Sequence, residues 1–269
     1  MKKFGKRLAV LGIAVLAAAL AAGCGKKESS SAGGEKKELT YAKGSGPYTI
    51  LFEEHIIPIL EKQGYTFKVS ELSLQYADEA IADGDVDFSV EQHIAYMNAF
   101  NKSYNSNLVA LTPIPTVPAS IFSETHSSLD EISDGMKIAV PQDEGNMARA
   151  FVMLQDIGWI KLKEGTDYAT ASPEDVAENP YNLEFLDIAT NIIATTLADY
   201  DYGIITGSIV YNAGIDPSTA LFNENLTEKF WLQVVVKDIV EAYQSKEFTD
   251  WLKANNESEY RNLWSIPEY

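Results

Sequence analysis

Residues 137–151, KIAVPQDEGNMARAF, place one guanidinium, Arg149, three residues after Asn146 and just beyond an apolar run that stops at Pro141. Ile138, Ala139 and Val140 read as a buried strand. MARAFVMLQ reads as a helix with Asn146 at its N-cap. In that register Arg149 is the third helical residue, where the positive end of the helix dipole disfavours a cation. Backbone N–H groups, an Asn amide and a guanidinium then converge at the carboxyl end of a strand, which is the chemistry of an anion site. The competing reading pairs Arg149 with Asp143 or Glu144 and makes it structural.

A second strand end carries polar groups of another kind. VDFSVEQH alternates Val86, Phe88 and Val90 with Asp87, Ser89 and Glu91 and finishes in Gln92 and His93. A carboxylate, an amide and an imidazole therefore end one strand. His93 reads either as a helix-capping or core histidine or as a ligand contact. Thr206 and Ser208 follow the strand DYGII and offer hydroxyls, to a ligand or as simple caps.

Catalytic signals are sparse. His55, His93 and His126 are the three histidines, and no G-x-S-x-G, H-E-x-x-H or G-x-x-x-x-G-K motif occurs. With 39 acidic residues, a pair of carboxylates carries little information. No enzymatic activity, catalytic residue, cofactor or metal site is expected. Removing the four basic residues Lys2, Lys3, Lys6 and Arg7 with a leader would take the net charge from −18 to −22. Nucleic acid is a poor partner for such a body, and so are anionic headgroups. The same field opposes an anionic solute, so a local cation such as Arg149 becomes necessary.

Those basic residues precede an apolar run, Leu8 to Ala22, that ends in Gly23 and Cys24. This is an export signal, and LAAGC resembles a lipoprotein cleavage box, so lipidation of Cys24 is expected. The alternative is cleavage elsewhere, leaving an ordinary thiol. Cys24 is the single cysteine, so no internal disulfide or thiolate cluster can form. GKKESSSAGGEKKE then reads as a flexible tether.

From Leu39 onward, apolar strands alternate with amphipathic helices, which is the arithmetic of parallel α/β sheets. Strands are expected at 39–42, 67–72, 87–90, 108–111, 137–140, 183–188, 201–205 and 230–236. Helices are expected at 50–64 with a kink at Pro58, at 76–83, 94–101, 147–156, 172–179 and 194–200, and at 239–255. About 230 residues after the tether suit two lobes around a crevice. The expected division is signal peptide 1–23, tether 24–38, first lobe 39–123, second lobe 124–206 and a return to the first lobe at 207–269. Hinges are expected near Ser123 and Thr206.

With these features in hand, the sequence resembles the NlpA/MetQ family of lipoproteins, which bind methionine for an ABC importer. The resemblance is densest over SLDEISDGMKIAVPQDEGNMARAFVMLQDIGWIKLKEG, DVAENPYNLEFLDI, AGIDPSTALF and EAYQSKEF. It implies a two-lobed type II periplasmic-binding-protein-like α/β fold with a ligand cleft between the lobes, a monomer held by lipid at the outer face of the cell membrane, and docking on a permease. It also implies a ligand carboxylate on Arg149, with Asn146, Glu91, Gln92, His93, Thr206, Tyr48 and Val117 around an amino-acid-like solute. The sequence departs from the family pattern in four places. Glu91 replaces a Phe, Thr206 an Asn, and Pro115 and Val117 replace aromatic residues. A thioether gains from aromatic neighbours, so these departures favour a related amino acid or short peptide as much as methionine. The rival readings are another small carboxylate solute and a surface adhesin without transport function.

Overall fold

The computed structural model describes residues 38–234, 242–257 and 262–267. The expected leader, Cys24 and all but the last residue of the tether lie outside them. Strand β1 (Glu38–Lys43) leads into α1 (Pro47–Leu51), a π-helical turn (Phe52–Ile56) and α2 (Ile57–Glu61). The expected kink takes the form of that π turn. Pro58 has no N–H and its ring crowds the preceding turn, so the register slips and the Ile57 N–H reaches back to Phe52 O. Gly64 closes this helical stretch at φ 89°.

Strand β2 (Thr66–Glu71) pairs with β1 in parallel, and α3 (Leu74–Asp83) and α4 (Ile94–Tyr104) follow. The strand expected at 87–90 is reduced to one parallel bridge between Phe88 and Tyr41. Main-chain bonds still lay it beside β1, Asp87 N–H to Thr40 O at 2.8 Å and Ala42 N–H to Phe88 O at 3.0 Å. Residues 108–111 form no strand: Val109 and Leu111 are exposed, and pairing starts at β3 (Thr112–Pro113).

The next segment contains β4 (Ser120–Phe122), β5 (Lys137–Pro141), α5 (Glu144–Asp156), β6 (Lys161–Leu162), β7 (Val176–Glu178), β8 (Glu184–Ile188), α6 (Thr190–Ile193), β9 (Tyr202–Ile205), α7 (Gly207–Asn212) and β10 (Phe222–Asn223). Five of these strands form a mixed sheet in the order β10-β4-β9-β5-β8. β5 runs parallel to β8 and β9, whereas β4 is antiparallel to β9 and β10. SPEDVAEN is not the expected helix. The Ser172–Asp175 capping box closes a single 3-10 turn, after which Val176 pairs with Leu162. Likewise 194–200 yields only the 3-10 turn Leu197–Asp199. β11 (Gln233–Val234) then pairs with β3, and α8 (Lys246–Asn256) follows its Ser245 N-cap. The intervening parts of the expected strand and closing helix lie outside the described residues.

Two main hydrophobic cores result. One gathers Tyr41, Phe52, Phe88, Val117, Leu232 and Phe248. The other gathers Ala119, Ile138, Phe151, Tyr202 and Phe230. The chain leaves the first core between Val117 and Ala119 and re-enters it between Phe230 and Leu232. Val210 and Ile209 of α7 pack with Phe122 and Ile205, so the segment just after 206 stays with the sheet of the second core. Ser123 is not a free crossing either, since its hydroxyl donates to Asp201 O at 2.6 Å.

Close packing inside the second sheet depends on Gly203, where a Cβ would lie 2.6 Å from Leu197 Cδ1 and 2.7 Å from Ile193 Cγ2. Gly203→Ala should destabilise the fold by about 1–3 kcal/mol through overpacking, read as a lower urea midpoint with unchanged slope.

A buried carboxyl supports the strand end at 91–93. Asp78 on α3 is fully buried and accepts the Gln92 Nε2–H at 2.6 Å, while Asp78 Oδ2 and Gln92 Oε1 have no partner. Desolvation pushes Asp78 up to about 7, against the opposing effect of the Gln92 bond. A proton there supplies a donor that an ionised carboxylate lacks. Because the folded-state value lies above the ordinary 3.8, the stability Asp78 contributes is full below about 4 and is lost as pH rises to about 7. Glu91 titrates with the same sign over a similar window. Asp78→Asn should therefore flatten, without abolishing, the fall in urea midpoint between pH 4 and pH 8, and should stabilise the protein most at the alkaline end.

Candidate functional site

A cleft of about 850 Å³ is lined by Lys43, Gly44, Ser45 and Tyr48 near β1 and by Glu71 to Leu74 at the end of β2. Asp143 and Asn146 at the start of α5, Thr190 and Asn191 at α6, and Thr206 and Ser208 at α7 complete the opposite wall. Its inner end narrows to a pocket of about 50 Å³ that adds Gln92, His93, Arg149, Gly207 and Leu232. Tyr48, Glu91, Tyr96, Asn146 and Thr206 border both. The carboxyl ends of β5 and β9 therefore meet the ends of β1 and the 86–93 segment, as expected for an α/β crevice.

Arg149 lies on this inner wall, but its register and its partner differ from expectation. The N-cap is Asp143, whose carboxylate accepts the Asn146 N–H at 2.9 Å, so α5 starts three residues early. Gly145 permits that start: a Cβ there would lie 3.0 Å from Tyr96 Cα of α4. Arg149 thus sits in the second turn, where the dipole penalty is small. Its partner is neither Asp143 nor Glu144. Glu224, just after β10, accepts Nε–H at 3.0 Å and also an Nη2–H, and Asn146 Oδ1 accepts Nη1–H at 3.1 Å. Both charged side chains are almost fully buried, at 4% and 3% exposure. Desolvation opposes the guanidinium's charge, and Glu224 overcomes it, so its pKa is raised.

His93 takes the helix-capping role and also lines the inner pocket. Its Nδ1 accepts the Tyr96 N–H at 3.1 Å, capping α4, and its Nε2 meets Asn146 Oδ1 at 3.2 Å. An unprotonated Nδ1 requires the proton on Nε2, which then donates to Asn146. Burial, reinforced by the nearby Arg149 charge, pushes His93 down to about 3, so the ring is neutral. Asn146 consequently turns its oxygen to two donors, Arg149 and His93. Its Nδ2 meets no acceptor among the described residues.

The remaining expected residues divide. Glu91 lines both parts of the cleft, Thr206 borders it at the N-cap of α7 without a side-chain cap bond, and Ser208 lies beside it. Gln92 reaches the inner pocket, but its amide is committed to Asp78. Tyr48 lines the cleft while its hydroxyl accepts Val117 N–H at 3.2 Å and faces Val117 O at 3.4 Å. Val117 itself does not line this cleft: it packs in the first core, where a Cβ at Gly207 would lie 2.2 Å from its Cγ1. Pro115 is buried away from the cleft as well. Glu224 was not legible in the sequence, being one acid among 39 and 75 residues from its arginine. Tyr96 and Leu232 also reach the site; the helical position of Tyr96 one turn after His93 was the only available signal. The site holds polar donors and the buried Arg149–Glu224 ion pair. Among the described residues no His, Cys, Asp and Glu group is placed to hold a metal.

Comparison with known proteins gives the same picture. The methionine-binding lipoprotein MetQ of Bacillus subtilis is 30% identical over 191 residues, spanning 70% of this chain and 69% of that protein. Outer membrane lipoprotein 1 of Mannheimia haemolytica is 28% identical over 257 residues, spanning 88% and 92%. A nutrient-binding protein of Burkholderia cenocepacia, solved bound to methionine, superposes with a TM-score of 0.75 at 27% identity, covering 86% of this chain and all of that one. A periplasmic substrate-binding protein of an ABC transporter from Coxiella burnetii gives 0.75 at 26%, with the same coverage. Residues 43–264 match the model of the NlpA lipoprotein family. With that match spanning most of the chain and the two-lobed fold shared, the protein belongs to the NlpA lipoprotein family.

Proposed function

We propose that this chain is an extracytoplasmic receptor, lipid-anchored through Cys24, that holds an amino-acid-like solute in the cleft and delivers it to the permease of an ABC importer. The supporting observation is the donor count at the inner end. Arg149 has five N–H groups, and Glu224 and Asn146 take three of them. One on each Nη remains, beside the two of Asn146 Nδ2. A solute carboxylate fits that set of donors, and the Glu224 pair orients the guanidinium before the solute arrives. The relatives named for methionine binding support an amino acid. The polar wall formed by Glu91, Thr206, Ser208 and Asn191 supports a solute other than methionine.

The lobes close about the two crossings, between Val117 and Ala119 and between Phe230 and Leu232, rather than at Ser123 and Thr206. A matching amino acid at a hundredfold excess over Kd should stabilise the protein by about 2.7 kcal/mol, seen as a rise in melting temperature, and its carboxamide should give a smaller rise. Arg149→Ala should abolish the rise and also lower the unliganded stability by about 3–5 kcal/mol, because Glu224 is left buried without its partner. Asn146→Ala leaves the ion pair in place but orphans the buried Nε2–H of His93 and an Nη1–H of Arg149, so it should weaken ligand stabilisation at a cost in unliganded stability of about 1–3 kcal/mol, less than that of Arg149→Ala. A complete set of amino acids and methionine peptides that shifts nothing would favour the adhesin reading.

A further inference from the structure

Among the described residues, every cation that borders the cleft is already matched by an acid outside it. Lys43 Nζ contacts both oxygens of Glu53, at 2.9 and 2.8 Å, and Arg149 is held by Glu224. Glu91 has no such match. Its Oε1 is inaccessible to solvent and without a hydrogen-bond partner, although the carboxylate lines both the wide cleft and its inner pocket. The space it fills exists because position 44 is glycine, since a Cβ there would lie 2.0 Å from Glu91 Oε2. Burial pushes Glu91 up to about 7 even with the Thr49 hydroxyl and N–H favouring the ion. A carboxylate with a buried oxygen and no counter-charge is costly, and one that faces a ligand cleft is relieved by a cation arriving with the ligand. Two further acids, Glu71 and Asp143, border the same cleft, and their potential has the same sign.

We propose that Glu91 is the specificity-determining counter-charge for an ammonium group of the solute, so that the bound molecule presents a carboxylate to Arg149 and Asn146 and a positive charge to Glu91. This rests on the receptor reading above. The shared chemistry is an ammonium, and it has two sources: the α-amino group of any free amino acid, or the side chain of a basic one. A wall built in this way gives no advantage to a thioether.

The test is isothermal titration of the full mature chain, refolded from denaturant to strip carried solute, with lysine, norleucine, methionine and the α-N-acetyl form of each. Lysine and norleucine differ by the terminal amine, and acetylation removes the α charge. At least one of these two changes should weaken binding roughly thirtyfold or more, as expected for loss of one partner of a buried charge pair. In Glu91→Gln that preference should shrink to within about threefold, while the unliganded variant should melt at or above the temperature of the parent. A residue with only a structural role would instead lower the melting temperature and leave the preferences intact. Preference for lysine over norleucine assigns the side-chain amine; preference for free over acetylated forms assigns the α-amine. Unchanged affinities and preferences in Glu91→Gln overturn the proposal while the receptor reading stands. If the parent binds none of the six compounds, the proposal falls, and the receptor reading is decided by the complete set of amino acids and methionine peptides.

Discussion

The Glu224 carboxylate determines where the guanidinium of Arg149 points, and most of the cleft's inner wall follows from that constraint. One oxygen accepts the Ala119 N–H at 2.7 Å as well as an Arg149 Nη2–H, and the other accepts Arg149 Nε–H. A crossing segment, the end of β10 and helix α5 are thereby joined at one buried ion pair. Such a pair adds little net stability, because desolvation offsets the attraction. What it contributes here is orientation. Arg149 in turn fixes the oxygen of Asn146, Asn146 receives the proton of His93, and His93 caps α4. The chain of bonds runs from Glu224 to the N-terminus of α4.

Glu91 stands at the opposite extreme from Glu224. Glu224 is buried with three hydrogen bonds to its carboxylate, whereas half-buried Glu91 keeps one inaccessible oxygen unanswered, yet both belong to the same small region of the fold. The local rule that buried polar groups are paired is broken at Glu91 and, more mildly, at the Asp78–Gln92 pair behind it. Violations of this kind concentrate where a protein meets a ligand, because the missing partner is then supplied on binding. The surrounding packing is tight enough to maintain it, with Gly44, Gly145 and Gly207 each brought against a neighbour that a side chain would displace.

Much of the architecture was legible because it rests on short-range rules. The parallel pair β1 and β2, strand β5, strand β9 and helix α5 all follow from apolar periodicity. Where a second rule competed, the reading slipped. Asn146 and Asp143 are both good N-caps, and the structure takes the earlier because Gly145 lets α5 press against Tyr96. SPEDVAEN has a capping box and acidic first-turn residues, both helix signals, but Val176 gains more from pairing with Leu162. Leu108 to Leu111 looks like a strand by composition, but among the described residues pairing begins only at Thr112, opposite Val234. At the site, Arg149, Asn146, Glu91 and His93 were legible as polar groups at strand ends. Glu224 was not, since its importance comes from a contact across 75 positions. Val117 was misplaced for the same reason: its neighbour Gly207 is 90 residues away in sequence and occupies the space through which Val117 would face the cleft.

The long-range contacts also decide how the cleft is able to move. Its inner end is already bridged by His93 and Asn146 at 3.2 Å and by the contact of Tyr96 with Gly145, so opening there would break a chain of bonds that ends at a buried ion pair. The outer end has weaker ties. Asn212 donating to Ser45 O at 3.0 Å is an exposed one, and an exposed hydrogen bond exchanges readily with water. In the proposed receptor, closure therefore falls to the outer rim, where Ser45, Ser208 and Asn191 line the wide part of the cleft, while the polar anchors at the back keep their geometry. A receptor of this kind would bind the charged part of its solute to a preformed surface and leave adjustment to the rim, so that selectivity for charge would be set before closure and selectivity for size by it.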